Sequence, residues 1–285
     1  MSRPTQLIDT ELLRSTLSDP DLRILDCRFD LSDPHAGRRD YRTGHIPGAL
    51  FADLDRDLSS PVTAVTGRHP LPAVETFTAT LGRFGIGESN PVVVYDAGNG
   101  AMAARAWWML RWLGHDDVRL LDGGIGKWSR ERKPLNAGEE RGIACTFRGR
   151  VRNDRILTTR EIAGSLDDIG SLRLVDARDA ARYRGEIEPI DPIAGHIPGS
   201  ISLPLTESLN QDETWKSRTE LHQLWQRVLG NDTHVPWSVM CGSGVTACHL
   251  AISGMEAGFE EPRLYVGSWS EWIRDPQRPI RSETG

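Results

Sequence analysis

Short apolar runs alternate with stretches of helical period along the 285 residues. Ile24-Leu25, Val92-Val93-Val94 and Leu174-Val175 are brief and uninterrupted, the pattern of strands buried on both faces. Ala103 to Trp112 and Thr246 to Gly258 between them carry apolar residues at helical spacing. Thr158-Thr159-Arg160-Glu161 sets a hydroxyl three residues before a carboxylate, a capping-box pattern that predicts a helix start. Strands alternating with helices predict an α/β fold, with parallel sheets covered by helices on both faces.

The pattern occurs twice. LRILDCR (Leu22–Arg28) returns as LRLVDAR (Leu172–Arg178), and GHIPGA (Gly44–Ala49) as GHIPGS (Gly195–Ser200). VVVYDAGNG (Val92–Gly100) aligns with WSVMCGSGV (Trp237–Val245), and LLDGGIGKW (Leu120–Trp128) with LYVGSWSEW (Leu264–Trp272). Four matches in one order indicate two copies of one domain. The first is assigned to residues 1–133 and the second to 154–285. Between them, residues 134–153 are rich in Gly, Arg and Glu with weak periodicity and read as a linker.

Composition narrows the classes. Lys and Arg number 34 against 40 Asp and Glu, a net charge of −6, so no domain-wide basic footprint for nucleic acid exists. The four cysteines, Cys27, Cys145, Cys241 and Cys248, are too few for a disulfide scaffold, and none has zinc-ligand spacing. Neither a metal nor a cofactor is expected. The N-terminal MSRPTQLIDTELLRS lacks a signal-peptide core, and Arg105 breaks even the apolar AMAARAWWML. A cytoplasmic protein without a membrane partner is the expectation.

The sharpest local feature is Val239-Met240-Cys241-Gly242-Ser243-Gly244-Val245-Thr246-Ala247. A strand ends at a cysteine, two glycines permit a tight turn, and a helix follows. Successive N–H groups in such a turn form an anion-binding nest, reinforced by the positive end of the helix. A thiol at its centre is expected to ionise readily and to carry sulfur. The first copy has Asp96 at the matching position, which cannot. A cysteine phosphatase places an arginine six residues after its nucleophile; here that residue is Ala247.

With both GHIPG motifs, the Asp96 loop, the DGG at Asp122 and the C-terminal GSWSEW, the chain resembles the tandem-domain rhodanese-like sulfurtransferases. Its CGSGVTA loop resembles their 3-mercaptopyruvate branch. The resemblance implies two rhodanese-like domains, the first catalytically silent. It also implies a Cys241 persulfide charged by 3-mercaptopyruvate, with release of pyruvate, and emptied by a thiol acceptor such as thioredoxin. Gly242, Gly244, Val245 and Thr246 then line the donor site, and Arg184 in Tyr183-Arg184-Gly185 grips the donor's carboxylate. Ser243, His69 and Asp55 match a serine–histidine–aspartate set proposed to move protons in that branch. The family usually shows a second arginine in a Glu-Pro-Arg context; here the segment reads Glu188-Pro189-Ile190-Asp191. Thiosulfate as donor, or a persulfide carrier without turnover, are the alternatives.

Several other residues read as structural. His45 and His196 recur in both copies and are assigned to packing, and Asp26 and Asp176 to organising the loops after their strands. Cys248 lies two helical turns beyond Cys241 and is assigned to the core. Trp107, Trp108 and Trp112 are expected on a buried helix face.

Overall fold

In the computed structural model, which describes residues 4–283, the chain folds into two five-stranded parallel sheets of identical topology. β1 (Leu7–Ile8), β2 (Arg23–Asp26), β3 (Ala49–Phe51), β4 (Val92–Tyr95) and β5 (Val118–Leu121) pair in the order β1-β5-β4-β2-β3. β6 (Ile156–Leu157), β7 (Leu174–Asp176), β8 (Ile201–Ser202), β9 (Ser238–Met240) and β10 (Arg263–Tyr265) repeat it as β6-β10-β9-β7-β8.

Alternate side chains of each strand enter different cores, which explains the continuous apolar runs. Val92 and Val94 enter a large cluster with Phe77 and Trp107, while Val93 and Tyr95 face a smaller one with Ile24 and Trp128. In the second sheet Val175 and Val239 share the large cluster, and Leu174 and Met240 pack with Trp269 on the far face. The large cluster is therefore continuous between the copies. The helices Ala103–Trp112 and Ala247–Glu256, each following a central strand, pack against each other there. Trp107, Trp108 and Trp112 are all buried on the first of them.

Repeated sequence makes repeated contacts. Arg28 chelates the Asp26 carboxylate and donates to the Gly44 carbonyl at 2.7 Å; Arg178 does the same with Asp176 and Gly195, at 2.8 Å. His45 stacks on Tyr41 and His196 on Tyr183, each with Nδ1 2.8 Å from that tyrosine's carbonyl. Both histidines are thereby packing elements of the strand-entry turn. Thr158 and Glu161 form the expected capping box ahead of helix Thr159–Gly164.

Residues 134–152 contain no helix or extended strand and run as a strap along the first domain, and a short 3-10 helix begins at Asn153. The Cys145 N–H donates to the Gly82 carbonyl, the Arg150 N–H to that of Leu113, and Phe147 is buried. Among the described residues, no helix is long and apolar enough to cross a membrane.

Candidate active site

Cys241 follows directly on β9, at the carboxyl end of the sheet beside the point where strand order reverses. Gly244 has φ +75°, and a Cβ on it would lie 2.2 Å from the Val266 carbonyl oxygen, so the turn admits only glycine. Its N–H donates to Cys241 Sγ at 3.1 Å. The segment after β10 clamps the loop from behind. Cys241 donates its N–H to Ser268 Oγ at 3.1 Å, and Trp269 and Ser270 donate theirs to the carbonyls of Cys241 and Gly242. Ser268, fully buried, holds φ +52°, a left-handed conformation costly for any residue with a Cβ.

Thr246 caps the helix Ala247–Glu256 without a side-chain bond to its first turn. Among the described residues, no protein acceptor takes the N–H groups of Ser243, Val245 and Thr246. The Gly244 N–H is the donor that reaches the sulfur, and the groups of Ser243, Val245 and Thr246 belong to the same loop. The thiol sits at the bottom of the site, Cys241 being 1% exposed.

The matching loop after β4 is filled by its own side chain. Asp96 Oδ1 accepts from the N–H groups of Gly98 and Gly100, and Oδ2 from those of Met102 and Ala103, at 2.9–3.1 Å. Burial pushes this carboxyl up, and the four bonds oppose the shift.

Ser243 and His69 meet across the domain boundary, with 2.8 Å between His69 Nδ1 and Ser243 Oγ. Burial, with the Arg105 and Arg68 guanidiniums nearby, pulls the imidazole down to about 3, so it is neutral at physiological pH. Asp55 Oδ1 lies 3.6 Å from His69 Nε2, beyond hydrogen-bond length, with its side chain 50% exposed. The structure thus joins serine to histidine and leaves the aspartate alongside.

Arg184 is not at the thiol. It closes the helix Ala180–Arg184, faces solvent and pairs with Glu186 at 2.6 Å. The residue that reaches the loop is Arg182, on the opposite side of the same helical turn. Its Nη2 and Nη1 lie 3.6 and 3.7 Å from where a Cβ on Gly242 would stand. Glu188 holds it by bonds to Nε and Nη2, and Glu188 also lies 3.6 Å from Arg178. The choice between two arginines two residues apart depends on helix phase, which Tyr183 alone does not fix. Arg68 approaches the same point from the first domain, its Nη2 2.9 Å from the Gly242 Cβ position.

Arg105 also escaped the sequence reading, although a lone charge within an apolar helix is the signal for such a residue. It is fully buried and makes no ion pair among the described residues. It donates instead to the carbonyls of Gly244 and His69, both at 3.0 Å, fastening the nucleophile loop to the histidine loop. Cys248 donates its thiol to the Gly244 carbonyl, and burial pushes it up to about 12, so it stays protonated. Among the described residues, no group of three or more His, Cys, Asp or Glu could hold a metal ion.

The rhodanese-like domain family matches twice, over residues 9–131 and 158–275. A Pseudomonas aeruginosa protein named as a probable 3-mercaptopyruvate sulfurtransferase is 47% identical over 277 residues, covering 96% of this chain and 97% of that one. The human 3-mercaptopyruvate sulfurtransferase is 39% identical over 271 residues, covering 92% and 88%. The solved structure of 3-mercaptopyruvate sulfurtransferase from Leishmania major superposes with a TM-score of 0.84 at 30% identity, covering 95% of this chain and 76% of that one.

Proposed function

The chain belongs to the rhodanese-like family and is a sulfurtransferase, and we propose that its donor is 3-mercaptopyruvate and its sulfur carrier Cys241. The observation that carries the reading is a buried cysteine in a glycine turn, with the Gly244 N–H on its sulfur and the Ser243–His69 pair in the same loop. Negative charge on the sulfur is stabilised by these donors without a neighbouring lysine.

The Cys241 thiolate attacks the donor's sulfur. The donor's carbon–sulfur bond breaks, and its electron pair passes to the carbon as the enolate of pyruvate. That enolate takes up the proton the donor thiol loses, so pyruvate and a Cys241 persulfide anion result. Ser243 and His69 carry this proton. Imidazolium is costly at the site, so His69 relays the proton in step with its delivery and does not store it. An acceptor thiolate then attacks the outer sulfur, forms a sulfur–sulfur bond with it and returns the Cys241 thiolate. The donor's carboxylate is held at Arg182, which Glu188 orients.

Steady-state kinetics with 3-mercaptopyruvate and thiosulfate side by side, with a small thiol acceptor, test the reading. The expected outcome is a kcat/KM for 3-mercaptopyruvate well above that for thiosulfate. The reverse order would assign the enzyme to thiosulfate; charging without turnover would make it a carrier.

A further inference from the structure

The family's second arginine is missing from Glu188-Pro189-Ile190-Asp191, and the segment presents a carboxylate in its stead. Asp191 is 7% exposed and lies between two guanidiniums. Its Oδ1 pairs with Arg68 Nη1, and its Oδ2 lies 3.2 Å from Arg182 Nη2. Both arginines converge on the residue next to the nucleophile, one from each domain. A carboxylate bridged by two arginines beside Cys241 has the form a bound donor carboxylate would take.

We propose that Arg68 is the second cation for the donor's carboxylate, and that Asp191 is the internal counter-ion which that carboxylate replaces. The proposal rests on the 3-mercaptopyruvate reading above. Arg68 has the donor capacity for the exchange, because its Nε is buried without an acceptor among the described residues. Its position is also fixed. The Arg68 N–H donates to Ser270 Oγ at 3.1 Å, and Arg274 Nε donates to the Thr66 carbonyl at 3.2 Å. Gly67 lies so close to the second domain that a Cβ would stand 2.5 Å from the Gly267 carbonyl oxygen. The loop bearing Arg68 is thus stitched to the domain that bears Cys241, ready to grip a carboxylate from the far side.

The counter-ion also explains selectivity. Arg68 and Arg182 face Asp191 and Glu188, two cations against two anions. A displaced Asp191 stays tethered beside the site, and its charge repels dianionic thiosulfate about twice as strongly as a monocarboxylate. Asp191 therefore sets the donor preference, and Arg68 supplies the affinity.

The test is steady-state kinetics of Arg68→Gln, Arg68→Lys and Asp191→Asn in the full-length enzyme, with both donors. A charge-assisted hydrogen bond lost from uniform binding raises KM by about 10-fold or more, so Arg68→Gln should do this for 3-mercaptopyruvate with kcat nearly unchanged. Arg68→Lys, which keeps the charge and loses the fork, should fall between. Asp191→Asn should raise kcat/KM for thiosulfate relative to 3-mercaptopyruvate by about 10-fold, a gain that misfolding cannot produce. If the unaltered enzyme turns over 3-mercaptopyruvate while Arg68→Gln keeps its KM, the role of Arg68 is overturned and the donor reading stands. An unmoved donor ratio in Asp191→Asn overturns the counter-ion. If the unaltered enzyme does not turn over 3-mercaptopyruvate at all, the donor reading falls and takes this assignment with it.

Discussion

Asp96 accepts hydrogen bonds from four backbone N–H groups, whereas Cys241, at the matching point of the second copy, accepts one, from Gly244. Each loop follows the central strand of its own sheet and runs into an equivalent helix. Each is therefore a cradle for negative charge, and the first copy shows how a filled one looks: a side-chain carboxylate satisfies it permanently. In the second copy a sulfur reaches only one donor, and the remaining capacity is left for charge that arrives during reaction. The difference teaches that the loop of the first domain is a completed nest and not a degraded one. The site is nevertheless built from both domains, because His69, Arg68 and Arg105 all come from the first.

The largest test of this contrast converts one loop into the other. Cys241→Asp should remove sulfur transfer by at least about 10³-fold, as Cys241→Ser should, because the nucleophile is gone. Unlike Cys241→Ser, it should hold or raise Tm by filling the nest as Asp96 does. Calorimetry and a transfer assay on both variants read the two effects.

His69→Ala should lower kcat about 10- to 100-fold, with KM for the donor little changed, as measured by pyruvate release. The pH profile of kcat in the unaltered enzyme should show no histidine step near 6.5, since His69 titrates at about 3. Stability should show one. The unfolded chain binds protons at His69 and His249 below about 6.5, while the folded chain keeps both neutral to about 3. Tm should therefore fall as pH is lowered through that window and be flat above it with respect to these groups.

Asp96→Ala should leave four buried donors without an acceptor and cost about 2–4 kcal/mol of stability in denaturant unfolding. At temperatures where it stays folded, its kcat should match the unaltered enzyme. A proportionate loss of kcat would show that the first loop takes part in catalysis.

A smaller effect is expected at Ser268, whose counterpart in the first copy, Gly124, shares φ +52°. The second copy tolerates a serine there, and its hydroxyl holds the Cys241 N–H. Ser268→Gly should relieve about 1–2 kcal/mol of backbone strain, offset by a similar cost for the Cys241 N–H left without its acceptor, and lower kcat several-fold as the loop loosens. Thermal unfolding should therefore stay nearly unchanged while steady-state rates fall.

Much of this was legible along the chain. Buried strands, the helix Ala103–Trp112, the capping box at Thr158 and the structural histidines follow from local period and from recurrence in both copies. The turn after β9 was legible because glycine spacing reports backbone directly. Motif matching does not resolve the phase of a five-residue helix, and the structure places Arg182 beside Gly242 and Arg184 on Glu186. Arg68 and Arg105 could not be placed from sequence, since their roles arise only when one copy docks on the other. Asp96 was legible as a residue unable to carry sulfur, but its four acceptor bonds depend on three-dimensional geometry.

The central claim, that one loop carries sulfur while its twin is sealed, is tested most directly by mapping the sulfur itself. The unaltered enzyme is charged with 3-mercaptopyruvate without acceptor, digested, and read by tandem mass spectrometry. The account predicts one added sulfur on the Cys241 peptide and none on those of Cys27, Cys145 or Cys248. Added sulfur on another cysteine in step with turnover, or turnover with no sulfur on Cys241, would contradict it.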